Sequence, residues 1–298
     1  MKSETKSRSK AFKAVDFLLL ACAVIPYIFG IALYVLIKPP SSGIEITGAK
    51  ILFTIDMPLQ SLPITESQVN SWIVIVTIFF LCLYLTHGIS ATQPTARQHL
   101  AEWIVEKTEN LVKNNMGEFF DGFAPFVAAI MGLSAFSSLL TLAGLFPPTS
   151  DLNVVGGWAA LVFILITHYK MKCGLLHYIK SFGDPVPLLA PLNVISEIAT
   201  PVSMAFRHYG NVLSGSVISV LVAVGLQGLS KIVLGKLPGF IGEFPLLQIG
   251  LPAVLSVYFD IFSGCLQAFI FAMLTMLYIS TGFPSEDYRA KLMKKEKN

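Results

Sequence analysis

Residues 205–215 read AFRHYGNVLSG, with an arginine at the centre of a stretch otherwise dominated by apolar and small residues. Extended to 201–226, the run becomes PVSMAFRHYGNVLSGSVISVLVAVGL, longer than the roughly 20 apolar residues that cross a hydrocarbon core about 30 Å thick. An arginine cannot escape its charge by losing a proton, because its pKa stays above about 12. A charged side chain at that depth costs several kcal/mol at least and marks function by default. Arg207 is therefore a fixed cation inside a membrane-spanning helix, and the rest of the chain has to account for it.

The bulk composition agrees. The chain has 298 residues, 54% hydrophobic and 13% charged, with a mean hydropathy of +0.69, too apolar for a core wrapped in a solvated shell. The net charge of +3 is small, and the basic residues gather in the tails and a few loops, which excludes nucleic acid as a partner and points to a membrane surface. Cys22, Cys82, Cys173 and Cys265 form no CxxC pair and no metal spacing, so neither a disulfide framework nor a metal site is expected. The sequence contains no phosphate-binding loop, nucleophile elbow or HExxH helix. No cofactor is expected, and the chain is not an enzyme by itself.

Apolar runs lie near 15–37, 70–91, 123–146, 154–169, 208–227 and 251–281, predicting an all-α polytopic membrane protein with about six embedded helices. The fourth run is short alone, but the preceding NVVGGW extends it. With the N-terminus inside, 16 Lys and Arg residues fall on cytoplasmic segments and 4 on outer ones, so both termini are expected in the cytoplasm. The basic tail and first apolar run, residues 1–40, read as an uncleaved anchor ahead of a core at 41–298. A cleaved signal peptide is the competing reading, although the run of about 22 residues exceeds a typical signal core. The segment 95–117 carries Leu100, Ile104 and Leu111 among charges at helical spacing, which suits either a helix lying along the cytoplasmic surface or a plain surface helix packed on its neighbours.

Polar residues inside the apolar runs fall into two stripes. Ser203, Asn211 and Ser214 stand four before, four after and seven after Arg207, and Gly210 and Gly215 leave room for another helix. In the last run Ser256, Asp260, Ser263 and Gln267 recur at spacings of four, three and four, the pattern of one α-helical face. Two such faces suggest an ion-handling path between helices. The plainer alternative is an Arg207–Asp260 salt bridge holding two helices together, with Gln267 as helix glue. Glu197, ten residues before Arg207, reads either as a proton-exit carboxylate or as an acid suited to a helix N-terminus. His87, His99, His168 and His177 look like ordinary interfacial residues, and His208 is of interest only through its neighbour Arg207.

PLNVISEIATPVSMAFRHYGN (191–211), PPTSDLN (147–153), LPITESQVNSWI (62–73) and LQAFIF (266–271) together resemble subunit a of the F-type ATP synthase, the bacterial membrane proton-channel stator, in the right order over about residues 45–283. The resemblance implies that Arg207 is the essential arginine that deprotonates the c-ring carboxylate, Asn211 the motif asparagine and Gln267 the glutamine that approaches the arginine. Proton translocation between two half-channels would then fall to Arg207, Gln267, Asp260, Asn211, Glu197, Ser203 and Ser214. It also implies that the last two helices, near 189–227 and 251–281, are long and strongly tilted against a c-ring, whereas hydropathy alone draws upright spans. The implied partners are the c-ring proteolipid, the subunit b stalk and the remainder of the synthase, in a bacterial plasma membrane. Three positions depart from the pattern: RHYGN replaces the common RLFGN, Ser216 stands where some members have glutamate, and Asp260 where some have histidine. Outside this family, the competing function is a secondary transporter whose arginine binds an anionic substrate, although no inverted repeat is visible. An intramembrane protease would need a base facing a buried serine, and none is evident.

Overall fold

The computed structural model describes residues 2–37, 48–58, 61–90, 95–183, 186–234, 250–251, 254–283 and 288. The expected boundary at residue 40, most of the connector 228–250 and the basic C-terminal tail lie outside the described residues.

Six helical segments among the described residues are long and apolar enough to cross a membrane: Phe12–Leu36, Glu66–Thr86, Glu118–Ala143, Leu152–Lys170, Pro187–Ile232 and Val254–Gly282. The chain is a multi-pass, all-α membrane protein, as its hydropathy predicts. In chain order the helices are α1 (Lys2–Ile37), α2 (Glu66–Thr86), α3 (Ala96–Met116), α4 (Ala124–Leu139), α5 (Leu152–Lys170), the short α6 (Leu175–Ser181), α7 (Ala190–Leu234) and α8 (Gly264–Gly282). A π-helical stretch, Val257–Ser263, leads into α8.

Local chemistry sets several of these boundaries. Gln68 Oε1 accepts from the Thr65 amide at the start of α2, and Thr95 Oγ1 accepts from the Gln98 amide at the start of α3, each pairing a backbone donor that a helix end leaves free. Asp151, from the PPTSDLN turn, caps α5 through the Asn153 amide at 2.9 Å, so the fourth span includes NVVGGW. Gly117 ends α3 at φ 82°, a left-handed value that costs glycine little.

The loop between the first two spans contains an element the sequence reading did not anticipate. Ile51–Ile55 (β1) pairs antiparallel with Leu62–Thr65 (β2), with a bulge between Ile51 and Phe53. β1 (ILFTI) is rich in β-branched and aromatic residues suited to pairing, and β2 (LPIT) contributes Ile64 and Thr65.

The core lies where α3, α4, α5, α7 and α8 meet. Val112, Met116, Val127, Ile130, Val162, Met204, Phe271 and Met276 are buried there, and Phe120, Phe123, Tyr169 and Phe283 cluster at its end. α3 packs its C-terminal half into this core through Val112 and Met116, while Leu100, Trp103 and Ile104 form an exposed apolar row on its N-terminal half. The apolar stripe read from the sequence is thus divided: Leu111 packs against the core, and Leu100 and Ile104 face outward.

α1 is seated on α2. Gly30 approaches so closely that a Cβ there would come 2.8 Å from Ile73 Cδ1, and Thr77 Oγ1 donates to the Ala23 carbonyl. At the other end, Asp16 Oδ1 meets Arg97 at 2.7 Å and His87 Nδ1 at 2.9 Å, and Arg97 also donates to the His87 carbonyl. Phe12 stacks on His87 and lies under the Arg97 guanidinium. His87, taken from sequence as an ordinary interfacial residue, is part of this lock, which draws on positions 71 and more residues apart.

The lock makes a measurable demand on stability. Asp16→Asn and Arg97→Gln should show a coupling of about 1.5–3 kcal/mol in a double-mutant cycle on the purified protein, the range for hydrogen bonds to charged partners. Additive effects would mean that the contact holds nothing.

Candidate functional site

α7 is 45 residues long, about 67 Å at ~1.5 Å per residue, over twice the hydrocarbon thickness. Pro201 lies inside it. Having no N–H, it leaves the Glu197 carbonyl without its helical donor and loosens the helix one and a half turns before Arg207.

Arg207 is exposed, and so are Ser203 and Ser214. At ~100° per residue these three fall within about 40° of one another around the helix. The guanidinium makes no ion pair or hydrogen bond with any described residue. The alternative in which Arg207 pairs with Asp260 as structural glue is therefore not realised. Asp260 instead accepts from Ser256 in its own helix. Glu197 is also engaged elsewhere, with Lys170 Nζ at 3.0 Å and the Tyr178 hydroxyl donating at 3.0 Å.

The other residues singled out by sequence take different places. Asn211 turns to the last span and exchanges hydrogen bonds with Ser263, at 3.0 and 3.1 Å. Ser214 donates to the Asn211 carbonyl. Gln267 is buried in α8 at 4% exposure and forms no hydrogen bond to Arg207. The face expected from Ser256 to Gln267 assumed α-helical spacing, but Val257–Ser263 is π-helical and turns more slowly per residue, so the spacing argument fails across it. The two glycines also separate: a Cβ on Gly215 would come 3.1 Å from the Phe259 ring, a real close approach, whereas Gly210 has nothing within 4 Å.

Besides an apolar crevice of about 340 Å³ between α5 and α7, lined by Ala159, Val202 and Phe206 among others, two cavities that each include a carboxylate open along α7. One, of about 380 Å³, is lined by Lys170, Tyr178, Ser181, Glu197, Thr200 and Tyr278 among others. The other, of about 360 Å³, is lined by Gly48, Thr141, Ser150, Tyr209, Ser216, Val220 and Asp260 among others. Arg207 stands between Thr200, the last α7 residue of the first, and Tyr209, the first α7 residue of the second. A third, very small void beside the second, about 10 Å³, adjoins Ser138, Asn211 and Asp260, close to the space one water needs.

Sequence reasoning missed three participants. Lys170 and Tyr178 belong to a basic loop region and gave no local sign of meeting Glu197. His208 is fully buried, shares a 3.2 Å hydrogen bond with Ser134 through Nε2, and packs edge-on against Trp158 and Phe271.

Fold and site together define a polytopic helical membrane protein that holds a fixed cation, without a partner among the described residues, between two carboxylate-bearing cavities. The family model of the ATP synthase A chain matches residues 68–280, and the chain belongs to that family. It is 26% identical over 232 residues to an ATP synthase subunit a of Legionella pneumophila, covering 77% of this chain and 91% of the relative. It is 31% identical over 222 residues to that of Bacillus pumilus, covering 68% and 86%, and 29% identical to subunit a 1 of Crocosphaera subtropica, covering 75% and 89%. As a family member it serves the proton channel of a synthase membrane sector and is not an enzyme by itself. The anionic-substrate transporter reading is set aside. α1 and the β-hairpin precede the matched residues.

The Tyr178 phenol is pushed above its ordinary range of about 10, first by burial and then by the adjacent Glu197 carboxylate. Ionising it would place a second negative charge beside the first. A spectroscopic pH titration of the parent protein minus Tyr178→Phe should therefore show a late-titrating tyrosine. Glu197→Gln should move that titration to lower pH, and an unmoved curve would separate the two groups.

Proposed function

We propose that Arg207 faces the carboxylate-bearing ring of a c-type proteolipid and that the two cavities are offset half-channels leading to it. The observation that carries this reading is the exposed guanidinium with no partner among the described residues, on a helix long and apolar enough to cross a membrane. A bare cation there is costly unless another subunit supplies the anion. At ~4 Å and an effective dielectric of ~20, arginine and carboxylate attract by about 4 kcal/mol, enough to favour the ionised acid and release its proton. Against lipid the same acid stays protonated.

The cavity at Glu197 adjoins the basic segment 170–190 and is the inner half-channel; the cavity at Asp260 adjoins the turn 147–153, which has no Lys or Arg, and is the outer one. Protons enter past Asp260, travel on the ring, and leave past Glu197. The lengths of α7 and of Val254–Gly282 suit helices steeply tilted against the ring. Between the half-channels, the fixed positive charge of Arg207 repels a proton that would pass directly. Gln267 and Asn211 lie on the neighbouring faces, and Ser203 and Ser214 share the ring-facing stripe. The Asp16–Arg97–His87 lock ties the start of the first span to the start of α3, which supports the reading that both lie on the cytoplasmic side of a bacterial plasma membrane; the C-terminus is assigned to the same side by its basic residues. Subunit b and the remaining synthase subunits complete the set of partners.

In inverted vesicles, Arg207→Ala should abolish ATP-driven proton pumping, and Arg207→Lys should be nearly as damaging because the bidentate fork is lost. Robust coupled pumping in either would refute the reading. Asp260→Asn should reduce pumping, and undiminished coupling would remove Asp260 from the path.

A further inference from the structure

The residue after the arginine is a histidine, and its side chain leaves α7 about 100° around the helix from the guanidinium. The two neighbours have opposite fates. Arg207 is exposed, and His208 is fully buried. Three helices enclose the imidazole. Ser134 on α4 shares the 3.2 Å hydrogen bond with Nε2. Trp158 on α5 and Phe271 on α8 present their rings at near-perpendicular angles, with centroids 6.0 and 5.5 Å away. The second nitrogen, Nδ1, is buried and has no hydrogen-bond partner among the described residues, so Ser134 supplies the imidazole's hydrogen bond there.

Between helices in lipid there is little hydrophobic drive, so packing and polar ties set how one helix is rotated against another. Turning α7 about its axis would draw the imidazole from this socket and leave both nitrogens unpaired in an apolar setting. The same turn would carry Arg207 off its outward stripe. We propose that His208 is a positioning residue for Arg207: its bond to Ser134 and its seat between Trp158 and Phe271 fix the rotation of α7, so the guanidinium stays outward. The bond from Asn211 to Ser263 is a second tie one turn further on. The proposal rests on the ring-facing reading of Arg207, and its test separates the two.

In the intact synthase, single cysteines replace Ser203, which shares the Arg207 stripe, or Val202, which is exposed on a different face and lines an apolar crevice with α5. Each is reacted with a lipid-soluble maleimide and, separately, cross-linked to a cysteine on the ring helix. In the parent, Ser203→Cys should cross-link and Val202→Cys should not. His208→Phe keeps a ring but loses the bond, and should shift both the labelling ratio and the cross-linking pattern between the two positions. It should also lower ATP-driven pumping about five-fold, the factor that ~1 kcal/mol of lost hydrogen bonding gives. Ser134→Ala, a small change on another helix, should do the same, and His208→Gln should restore the parent pattern because its amide can still reach Ser134. An unchanged labelling ratio in both His208→Phe and Ser134→Ala would overturn the positioning role. Equal cross-linking of the two parent cysteines would instead overturn the ring-facing reading, since the labelling ratio reports rotation without the ring.

Discussion

A guanidinium in an apolar helix, with no counter-charge among the described residues, is the constraint on which the proposed function depends. Removing that charge from water is paid for only if an anion meets it. Four of the described acids are engaged elsewhere. Glu197 is held by Lys170 and Tyr178, Asp260 by Ser256, Asp16 by Arg97 and His87, and Asp151 by Ser67 and the start of α5. A carboxylate free to reach Arg207 would neutralise it permanently and end any exchange with a passing partner. On the proposed reading, the local ties of these acids serve function as well as stability.

The same constraint explains the division of α7 into faces. Ser203, Arg207 and Ser214 form an exposed polar line, His208 and Gly215 turn into the bundle, and Asn211 lies between and reaches Ser263. Close packing at Gly215 against Phe259 brings the π-helical stretch beside α7, and Asp260 thereby lines the same cavity as Tyr209 and Ser216. Pro201 acts at the other end, where a freed backbone carbonyl adds polarity near the Glu197 cavity.

What the sequence revealed follows from the range of the interactions involved. The spans were legible because a run of apolar residues answers only to bilayer thickness, and Asp151 marked the start of α5 as a local cap. Arg207 was legible because one charge in such a run is costly wherever its neighbours lie. The Lys170–Glu197, Ser134–His208 and Asp16–Arg97 contacts were not, because each joins residues far apart in the chain and no local pattern encodes the meeting. The β-hairpin hid in a loop that hydropathy scanning passes over. The shared face from Ser256 to Gln267 failed for a geometric reason: it took 3.6 residues per turn for granted where the backbone adopts a wider turn.

The segment ahead of the matched residues is seated on the side of the bundle that α2 and α3 form. α1 precedes the residues that the family model matches, and it docks on α2 and the first turn of α3, away from α7. Its lock at Asp16 is partly exposed, and its remaining contacts with α2 are apolar close approaches such as Gly30 on Ile73. An extra helix seated this way enlarges the static side of the bundle without covering the Arg207 stripe. Had it packed over the Ser203–Arg207–Ser214 line, that line would not be exposed. The placement of α1 on α2 is thus what lets the chain add a span and keep the arginine face open.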